Sequence, residues 1–357
     1  MTETTSRAGL RDIAAAAELS IGSAAHHDLL ASDPDYARVL AHEFDSITPY
    51  TAMKWGVLHP EPDRYDFSGG DAIVEFATAN QMRIRGHTLV WGGATDPPNP
   101  AYIAGVTSEA ELREAVESHI ATVVGRWAGR IDRWDVVNEP LTVLGDPGRS
   151  DGLRENVFLD RLGAGHIADA LRLAHEVDPG ARLFVNDFFV LAPGPKQERY
   201  FRLVRDLLDV GAPLHGVGFQ GHLCFLPAAP PGAIDLPSED AIATTLGRFA
   251  ELGLDVEITE LNVHTWRFDG DRGARLAKQR EIYRRALRAA TSVPRCRAVT
   301  VWLFTDRHPT SMERFVGRSG EPLLFDADYR PKPAYFGVRE ALLLAAQRTG
   351  AGGLGSL

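Results

Sequence analysis

This sequence of 357 residues has little of what marks several large classes of protein. Its two cysteines, Cys224 and Cys296, cannot build a disulfide framework and do not form a metal-type C-x-x-C pair. No run of about 18 apolar residues occurs, so no membrane-spanning helix is predicted. The first residues, M-T-E-T-T-S-R-A-G-L-R-D, lack the basic start and apolar stretch of a signal peptide, and we therefore expect a cytoplasmic protein.

Basic residues are not concentrated in any part of the chain. The formal net charge is -10 at pH 7, and no block of lysine and arginine stands out. Proteins that bind nucleic acid or anionic membranes need such a block to neutralise phosphates. We therefore expect no nucleic acid and no membrane as partner, and a small-molecule ligand fits this composition better. The sequence suggests no cofactor and leaves the oligomeric state open.

The chain does contain a regular alternation of short apolar runs and longer amphipathic stretches. Eight short runs rich in β-branched residues predict strands near residues 21, 46, 83, 133, 182, 216, 255 and 298. Between them, apolar residues recur at spacings of three and four, as in the segments that start at Glu109 and Arg275, and this predicts helices. Eight strands, each followed by a helix, predict an α/β fold, a (β/α)8 TIM barrel.

The same pattern predicts one catalytic domain at residues 1–350, followed by a mobile tail at 351–357. The proline-rich stretch at 226–237 reads as a loop within that domain. A doubly wound sheet is the alternative architecture. It is less well supported, because no G-x-G-x-x-G turn follows the first predicted strand.

The predicted strands end on polar and aromatic side chains. In a barrel, the carboxyl ends of the strands form the face that carries catalytic residues. A polar bowl lined by aromatic rings is therefore expected at this face. The residues at or near these ends are His87, Asn138, Glu139, Asn186, Asp187, Gln220, His222, Glu260, Asn262, Trp302 and Asp306.

Two glutamates stand out in this set. Glu139 and Glu260 end the fourth and seventh predicted strands, which lie roughly opposite each other in a ring of eight. Glycoside hydrolysis needs two such carboxylates, one to protonate the leaving oxygen and one to attack the anomeric carbon or activate water. A single glutamate at a strand end is more often an ion-pair partner or a helix cap. No metal site is predicted at His26 and His27, because adjacent residues on a strand point to opposite faces.

At these residues the sequence resembles glycoside hydrolase family 10, the family typified by endo-1,4-β-xylanases. The resemblance covers nearly the whole chain, and its most specific motifs are W-D-V-V-N-E at 134–139, I-T-E-L at 258–261, M-K-W at 53–55, R-G-H-T-L-V-W at 85–91 and G-V-G-F-Q-G-H-L at 216–223. It implies a retaining mechanism with Glu139 as general acid/base and Glu260 as nucleophile. The substrate-binding residues that it implies are Lys54, His87, Trp91, Asn138, Gln220, His222 and Trp302.

Several positions depart from the family pattern. An acidic and amide pair that grips a second sugar on the glycone side is replaced by Tyr50 and Thr51, so we expect poor activity on polymeric xylan and an aromatic surface at Tyr50. Where the family has histidine and glutamine after Trp91, this chain has two glycines. The segment D-R-H-P-T at 306–310 lacks an expected tryptophan. Asn262 replaces an aspartate and should face the bowl beside Glu260 and near His222.

Three functions remain open from the sequence. The first is a retaining β-glycosidase that acts on a short β-xyloside, an oligosaccharide or a glycosylated small molecule. The second is a non-catalytic sugar-binding protein on the same barrel, which the retention of both glutamates makes less attractive. The third is another chemistry in the same bowl.

Overall fold

The structure is a computed structural model that describes residues 8–93, 99–142, 149–226 and 236–349. The tail expected at 351–357 and most of the loop expected at 226–237 lie outside these ranges. Within them, the strands are β1 (Ser20–Ala25), β2 (Ser46–Pro49), β3 (Arg83–Trp91), β4 (Arg133–Asn138), β5 (Arg182–Phe188), β6 (Gly216–Gln220), β7 (His222–Leu223), β8 (Asp255–Val263) and β9 (Cys296–Val301).

The strands close into a parallel barrel. Neighbours pair in the order β6, β5, β4, β3, β2, β1, β9, β8, and β6 also pairs with β8, which completes the ring. The predicted (β/α)8 barrel and its eight strands are thus confirmed. The short β7 continues β6 beyond Gly221, in the stretch that the sequence had suggested was one strand.

The helices surround this barrel. In the described part of the chain they are α1 (Leu10–Ala16), α2 (His27–Ser32), α3 (Pro34–Glu43), α4 (Trp55–Leu58), α5 (Ser68–Ala79), α6 (Ala101–Ala104), α7 (Glu109–Arg126), α8 (Val157–Leu162), α9 (His166–Val177), α10 (Pro195–Asp209), α11 (Glu239–Ala250), α12 (Arg272–Ser292), α13 (Ser311–Val316) and α14 (Pro333–Arg348). The two segments singled out by periodicity are α7 and α12. None of the described helices is long and apolar enough to cross a membrane.

The strands are buried on both faces, as parallel barrel strands must be. All six residues of β4 and all nine of β8 are buried. Packing between β3 and β4 depends on Gly86, where a Cβ would lie 2.2 Å from the ring of Trp134. A larger residue at position 86 would therefore push β3 away from β4.

Charged side chains fill part of the barrel interior beneath the bowl. Arg85 donates from Nε to Asp135 Oδ2 at 2.9 Å and from Nη1 to Glu257 Oε2 at 2.7 Å, and Arg133 also pairs with Glu257. Burial raises the pKa of Asp135, but Arg85 and His87 outweigh burial and hold the pKa below its usual value. The network ties β3, β4 and β8 together directly under the polar bowl.

Candidate active site

Glu260 lies near the end of β8 and is 4% exposed. Its Oε1 accepts a hydrogen bond from Asn186 Nδ2 at 2.8 Å, and its Oε2 lies 3.1 Å from His222 Nε2. Burial alone would raise the pKa of Glu260. The hydrogen bond from His222 and the charges of His87 and His222 outweigh burial and hold the pKa below its usual value. The side chain is therefore an ionised carboxylate, which is the form a nucleophile needs.

Glu139 follows directly after β4 and turns the chain out of the barrel. Its backbone has φ of +53°, a left-handed conformation that non-glycine residues rarely adopt, and its N–H donates to the Asn186 carbonyl at 2.7 Å. The carboxylate accepts from Arg154 Nη1 at 2.9 Å on Oε2 and from Gln220 Nε2 at 3.3 Å on Oε1. The Glu139 side chain is 15% exposed, so a ligand in the bowl can reach it.

A chain of hydrogen bonds joins the two glutamates across the bowl. Asn186 Nδ2 donates both to Glu260 and, at 2.9 Å, to Asn138 Oδ1. Gln220 Nε2 donates both to Asn138 Oδ1 and to Glu139 Oε1, each at 3.3 Å. The residues expected to be catalytic from the sequence therefore belong to one connected site. Asn138 and Gln220 lie between the two glutamates in this chain of hydrogen bonds.

His222 lies between Glu260 and Asn262, where the sequence placed it. Its Nδ1 is 3.2 Å from Asn262 Oδ1, while Asn262 Nδ2 is buried and has no hydrogen-bond partner among the described residues. A neutral imidazole carries one N–H, and the ionised Glu260 requires that proton on Nε2. In that tautomer Nδ1 is an acceptor, so the amide of Asn262 is turned to donate from Nδ2 to Nδ1, which gives Nδ2 the partner that it otherwise lacks.

Four other expected substrate-binding residues form a further wall of the bowl, with two on β3 and two in the segments that follow β2 and β9. His87 Nδ1 lies 2.9 Å from Asp135 Oδ2, so this carboxylate sets the orientation of the imidazole. The rings of His87 and Trp302 meet edge to face with centroids 5.3 Å apart, and Trp302 is 6% exposed. Lys54 Nζ lies 4.9 Å from the ring centre of Trp91. This wall combines cationic and aromatic groups suited to a sugar ring.

Tyr50 closes the bowl beyond this wall. It is 2% exposed, its ring packs against Trp302 at 5.5 Å, and its hydroxyl accepts from Ser311 N at 2.9 Å and donates to Ser311 Oγ at 3.0 Å. The start of α13 therefore covers Tyr50, which is not available as the open aromatic surface expected from the sequence. Thr51, next to it, is half-buried.

The two glycines that follow Trp91 are explained by close neighbours. A Cβ at Gly92 would lie 2.4 Å from the side chain of Asn156, and a Cβ at Gly93 would lie 2.7 Å from the Trp91 ring. Asn156 is itself held in place, because its Oδ1 accepts from Phe158 N at 2.9 Å and caps α8. Asn156 and Trp91 thus lie against the backbone where the family pattern has longer side chains.

Sequence reasoning missed Arg154, although it contacts Glu139 directly. Arg154 lies between β4 and α8 in a stretch without hydrophobic periodicity, and no local signal indicates that it turns back toward the bowl. Asn186 was noted at a strand end but was not assigned to the site. Its β5 position next to Asn138 in the register would have been the signal to include it.

Comparisons with known proteins point in one direction. The model of glycosyl hydrolase family 10 matches residues 9–341. Endo-1,4-beta-xylanase B of Thermotoga neapolitana is 36% identical over 337 residues, which cover 93% of this chain and 91% of that protein. The beta-1,4-xylanase of Dictyoglomus thermophilum is 36% identical over 314 residues, which cover 85% of this chain and 83% of that protein.

Solved structures agree with these relatives. Native xylanase 10B of Thermotoga maritima superposes with a TM-score of 0.85 at 34% identity, covering 95% of this chain and 99% of that one. Xylanase 10B of Thermotoga petrophila in complex with xylobiose superposes with a TM-score of 0.86 at 33% identity, covering 96% of this chain and 99% of that one.

Proposed function

The chain belongs to glycosyl hydrolase family 10, and from this we propose that it is a retaining β-glycosidase acting on short β-xylosides, oligosaccharides or glycosylated small molecules rather than on polymeric xylan. Family membership makes it a glycoside hydrolase of O-glycosyl bonds. The names of its relatives and the xylobiose bound to the Thermotoga petrophila protein support xylose as the sugar.

The chemistry proceeds in two displacements. In the first, Glu260 attacks the anomeric carbon, the bond to the aglycone oxygen breaks, and that oxygen takes its proton from Glu139. In the second, a water oxygen attacks the same carbon while Glu139 removes its proton, and the bond to Glu260 breaks with its electron pair returning to the carboxylate. Asn186 and His222 hold Glu260 in place for both steps.

The observation that carries the preference for short substrates is the closure of the glycone side at Tyr50. A second sugar on that side would need hydrogen-bonding groups beyond the wall formed by Lys54, His87 and Trp302. The hydroxyl of Tyr50 is instead engaged by Ser311. Two lost contacts to sugar hydroxyls, one of them charge-assisted, are worth about 2 to 4 kcal/mol.

A series of β-1,4-xylo-oligosaccharides tests this proposal. We expect kcat/KM to stay nearly constant from xylobiose to xylohexaose and activity on long xylan to be poor. The variant that combines Tyr50→Glu and Thr51→Asn should gain a preference for longer chains, with Tyr50→Phe as the control that removes the hydroxyl but adds no sugar ligand. A steep rise with chain length in the unmodified enzyme would contradict the proposal.

The stereochemical outcome is a separate test. Proton NMR of the first product formed from a β-xyloside should show the β-anomer, because two inversions retain configuration. An α-anomer would contradict the retaining mechanism. A non-catalytic sugar-binding barrel, the alternative function, would bind the glycoside without releasing either product.

A further inference from the structure

Arg154 contacts Glu139 from the flank of the site formed by the end of β5. Its Nη1 donates to Glu139 Oε2 at 2.9 Å, and its guanidinium lies 5.3 Å from the ring centre of Phe188, at the end of β5. The Arg154 side chain is 16% exposed and is therefore within reach of a ligand. The neighbouring Lys196 is 2% exposed and bonded to Asp187 at 2.7 Å, so it cannot serve in the same way.

The aglycone must lie on this side of the bowl. The general acid has to be next to the oxygen that joins sugar and aglycone. The residues implied to hold the sugar come from β3, β4, β6 and β7 and from the segments that follow β2 and β9. The neighbour of β4 on the other flank of Glu139 is β5, which carries none of these sugar-binding residues. Arg154 and the end of β5 therefore line the space that the aglycone enters.

The pairing of Arg154 with Glu139 differs between the two catalytic steps. In the first displacement Glu139 must present a proton to the aglycone oxygen, and the protonated, neutral carboxyl is a weaker partner for the guanidinium than a carboxylate is. In the second displacement Glu139 must be ionised to accept the proton of water, and the same contact helps. Arg154 therefore lacks a charged partner of full strength during the first step alone.

An anionic group on the aglycone would supply this partner, because it is present in the first step and departs with the leaving group. It would pair with Arg154 while Glu139 donates its proton to the aglycone oxygen. Once the aglycone has left, Arg154 would return to Glu139 before water attacks. The charge on the leaving group thus matches the protonation state that each step demands.

The surface next to Arg154 is aromatic. Phe188 and Phe189 are half-buried, with ring centroids 5.1 Å apart and an edge-to-face angle of 64°. Phe189 has φ of +55°, a left-handed conformation unusual for an aromatic residue. One face of Phe188 is taken by Lys196, whose Nζ lies 3.5 Å from the ring centre, which leaves Phe189 as the main aromatic contact.

We propose that Arg154, Phe188 and Phe189 form an aglycone site for an aromatic acid, with the ring of the aglycone against Phe189 and its carboxylate on Arg154. The substrate class is then the β-glycoside of a hydroxylated aromatic acid. This inference rests on the proposed function, since it assigns the leaving group of the same hydrolytic reaction. The carboxylate takes no part in bond making. It replaces Glu139 as the ionic partner of Arg154 during the first displacement.

A pair of matched substrates tests this assignment. 4-Carboxyphenyl β-D-xyloside and its 4-carbamoyl analogue differ in charge but hardly in shape, and the neutral carbamoyl compound has the better leaving group by electronic effect alone. We expect kcat/KM to favour the carboxylate by roughly tenfold or more, the scale of one charge-assisted hydrogen bond. Arg154→Gln should abolish or reverse that preference, and Arg161→Gln, an exposed arginine on α8, should leave it intact.

Binding of the product gives a second measurement that does not depend on turnover. 4-Hydroxybenzoate should inhibit the enzyme competitively, and Arg154→Gln should weaken this inhibition by roughly tenfold or more while inhibition by xylose stays unchanged. Phe189→Ala should weaken it as well. Thermal unfolding of each variant shows whether a loss of binding comes from a loss of folding.

The outcomes separate this inference from the function on which it rests. If both xylosides are hydrolysed at similar rates, or if Arg154→Gln keeps the preference for the carboxylate, the aromatic-acid site is wrong and the glycosidase stands. If neither xyloside is hydrolysed and neither product binds, the proposed function fails and this inference fails with it.

Discussion

His264, just beyond β8, offers a direct test of how burial shapes the electrostatics of this bowl. The side chain is 0% exposed and stacks on Trp266 with ring centroids 4.2 Å apart, and neither ring nitrogen has a hydrogen-bond partner in the described part of the chain. Burial, with a smaller effect from His222, lowers the pKa of His264 from 6.5 to about 3. The folded protein therefore holds this ring neutral.

The sign of the effect on stability follows from proton binding. The unfolded chain binds a proton at this residue below about pH 6.5, while the folded protein binds none until about pH 3. The contribution of the neutral His264 to the free energy of unfolding is therefore complete above pH 6.5. It is lost as the pH falls toward 3. At about 1.36 kcal/mol per pKa unit, the shift corresponds to a ceiling of about 5 kcal/mol, of which about 2 kcal/mol is lost between pH 7 and pH 5.

The perturbation is His264→Leu, which keeps an apolar side chain against Trp266 and removes the titrating group. We expect the free energy of unfolding of the wild type, relative to the variant, to fall by about 2 kcal/mol between pH 7 and pH 5. Urea unfolding at both pH values and equal ionic strength measures this difference. His42→Leu is the control, because the His42 side chain is 42% exposed and this substitution removes no buried imidazole.

A variant that keeps the full pH dependence of the wild type would refute the reasoning. That result would mean that His264 gains a compensating proton donor or acceptor, or that water reaches its ring. Other buried histidines contribute to the pH dependence of both proteins equally, so the comparison isolates one residue.

The remaining predictions concern the catalytic groups and the barrel interior. Glu260→Ala should abolish turnover even of activated aryl glycosides, whereas Glu139→Ala should spare substrates whose leaving groups depart without protonation. If Glu139→Ala lowered kcat equally for substrates with good and with poor leaving groups, the roles assigned would be contradicted. Asn262→Asp adds a negative charge beside the catalytic carboxylates and should move the alkaline limb of the kcat/KM profile upward by about one pH unit, and a shift below roughly 0.3 unit would exclude this effect. Arg85→Met removes the guanidinium shared by the buried Asp135 and Glu257, which keep only His87 and Arg133 as charged partners. We expect the free energy of unfolding to fall by about 3 to 5 kcal/mol, measured by urea unfolding; a loss below about 1 kcal/mol would show that the network adds little.

The sequence by itself determined the barrel and the identity of its two glutamates. Each barrel strand is a short run of apolar residues between turn signals, and this pattern is local, so it can be read without knowing what packs against it. Because parallel strands all present their carboxyl ends on one face, the polar residues at those ends could be placed together before any contact was known. Glu139, Glu260, His222 and Asn262 were located in this way.

Only the tertiary structure decided what lies around those groups. Tyr50 and Ser311 are 261 positions apart, and Arg154 reaches Glu139 from a stretch with no periodic pattern. Gly92 makes room for Asn156 in another part of the chain. Such contacts depend on how loops return to the barrel rim, and a loop conformation is set by the side chains it meets rather than by its own hydrophobic pattern. For this reason the sequence predicts the fold, whereas the substrate preference depends on how the loops pack.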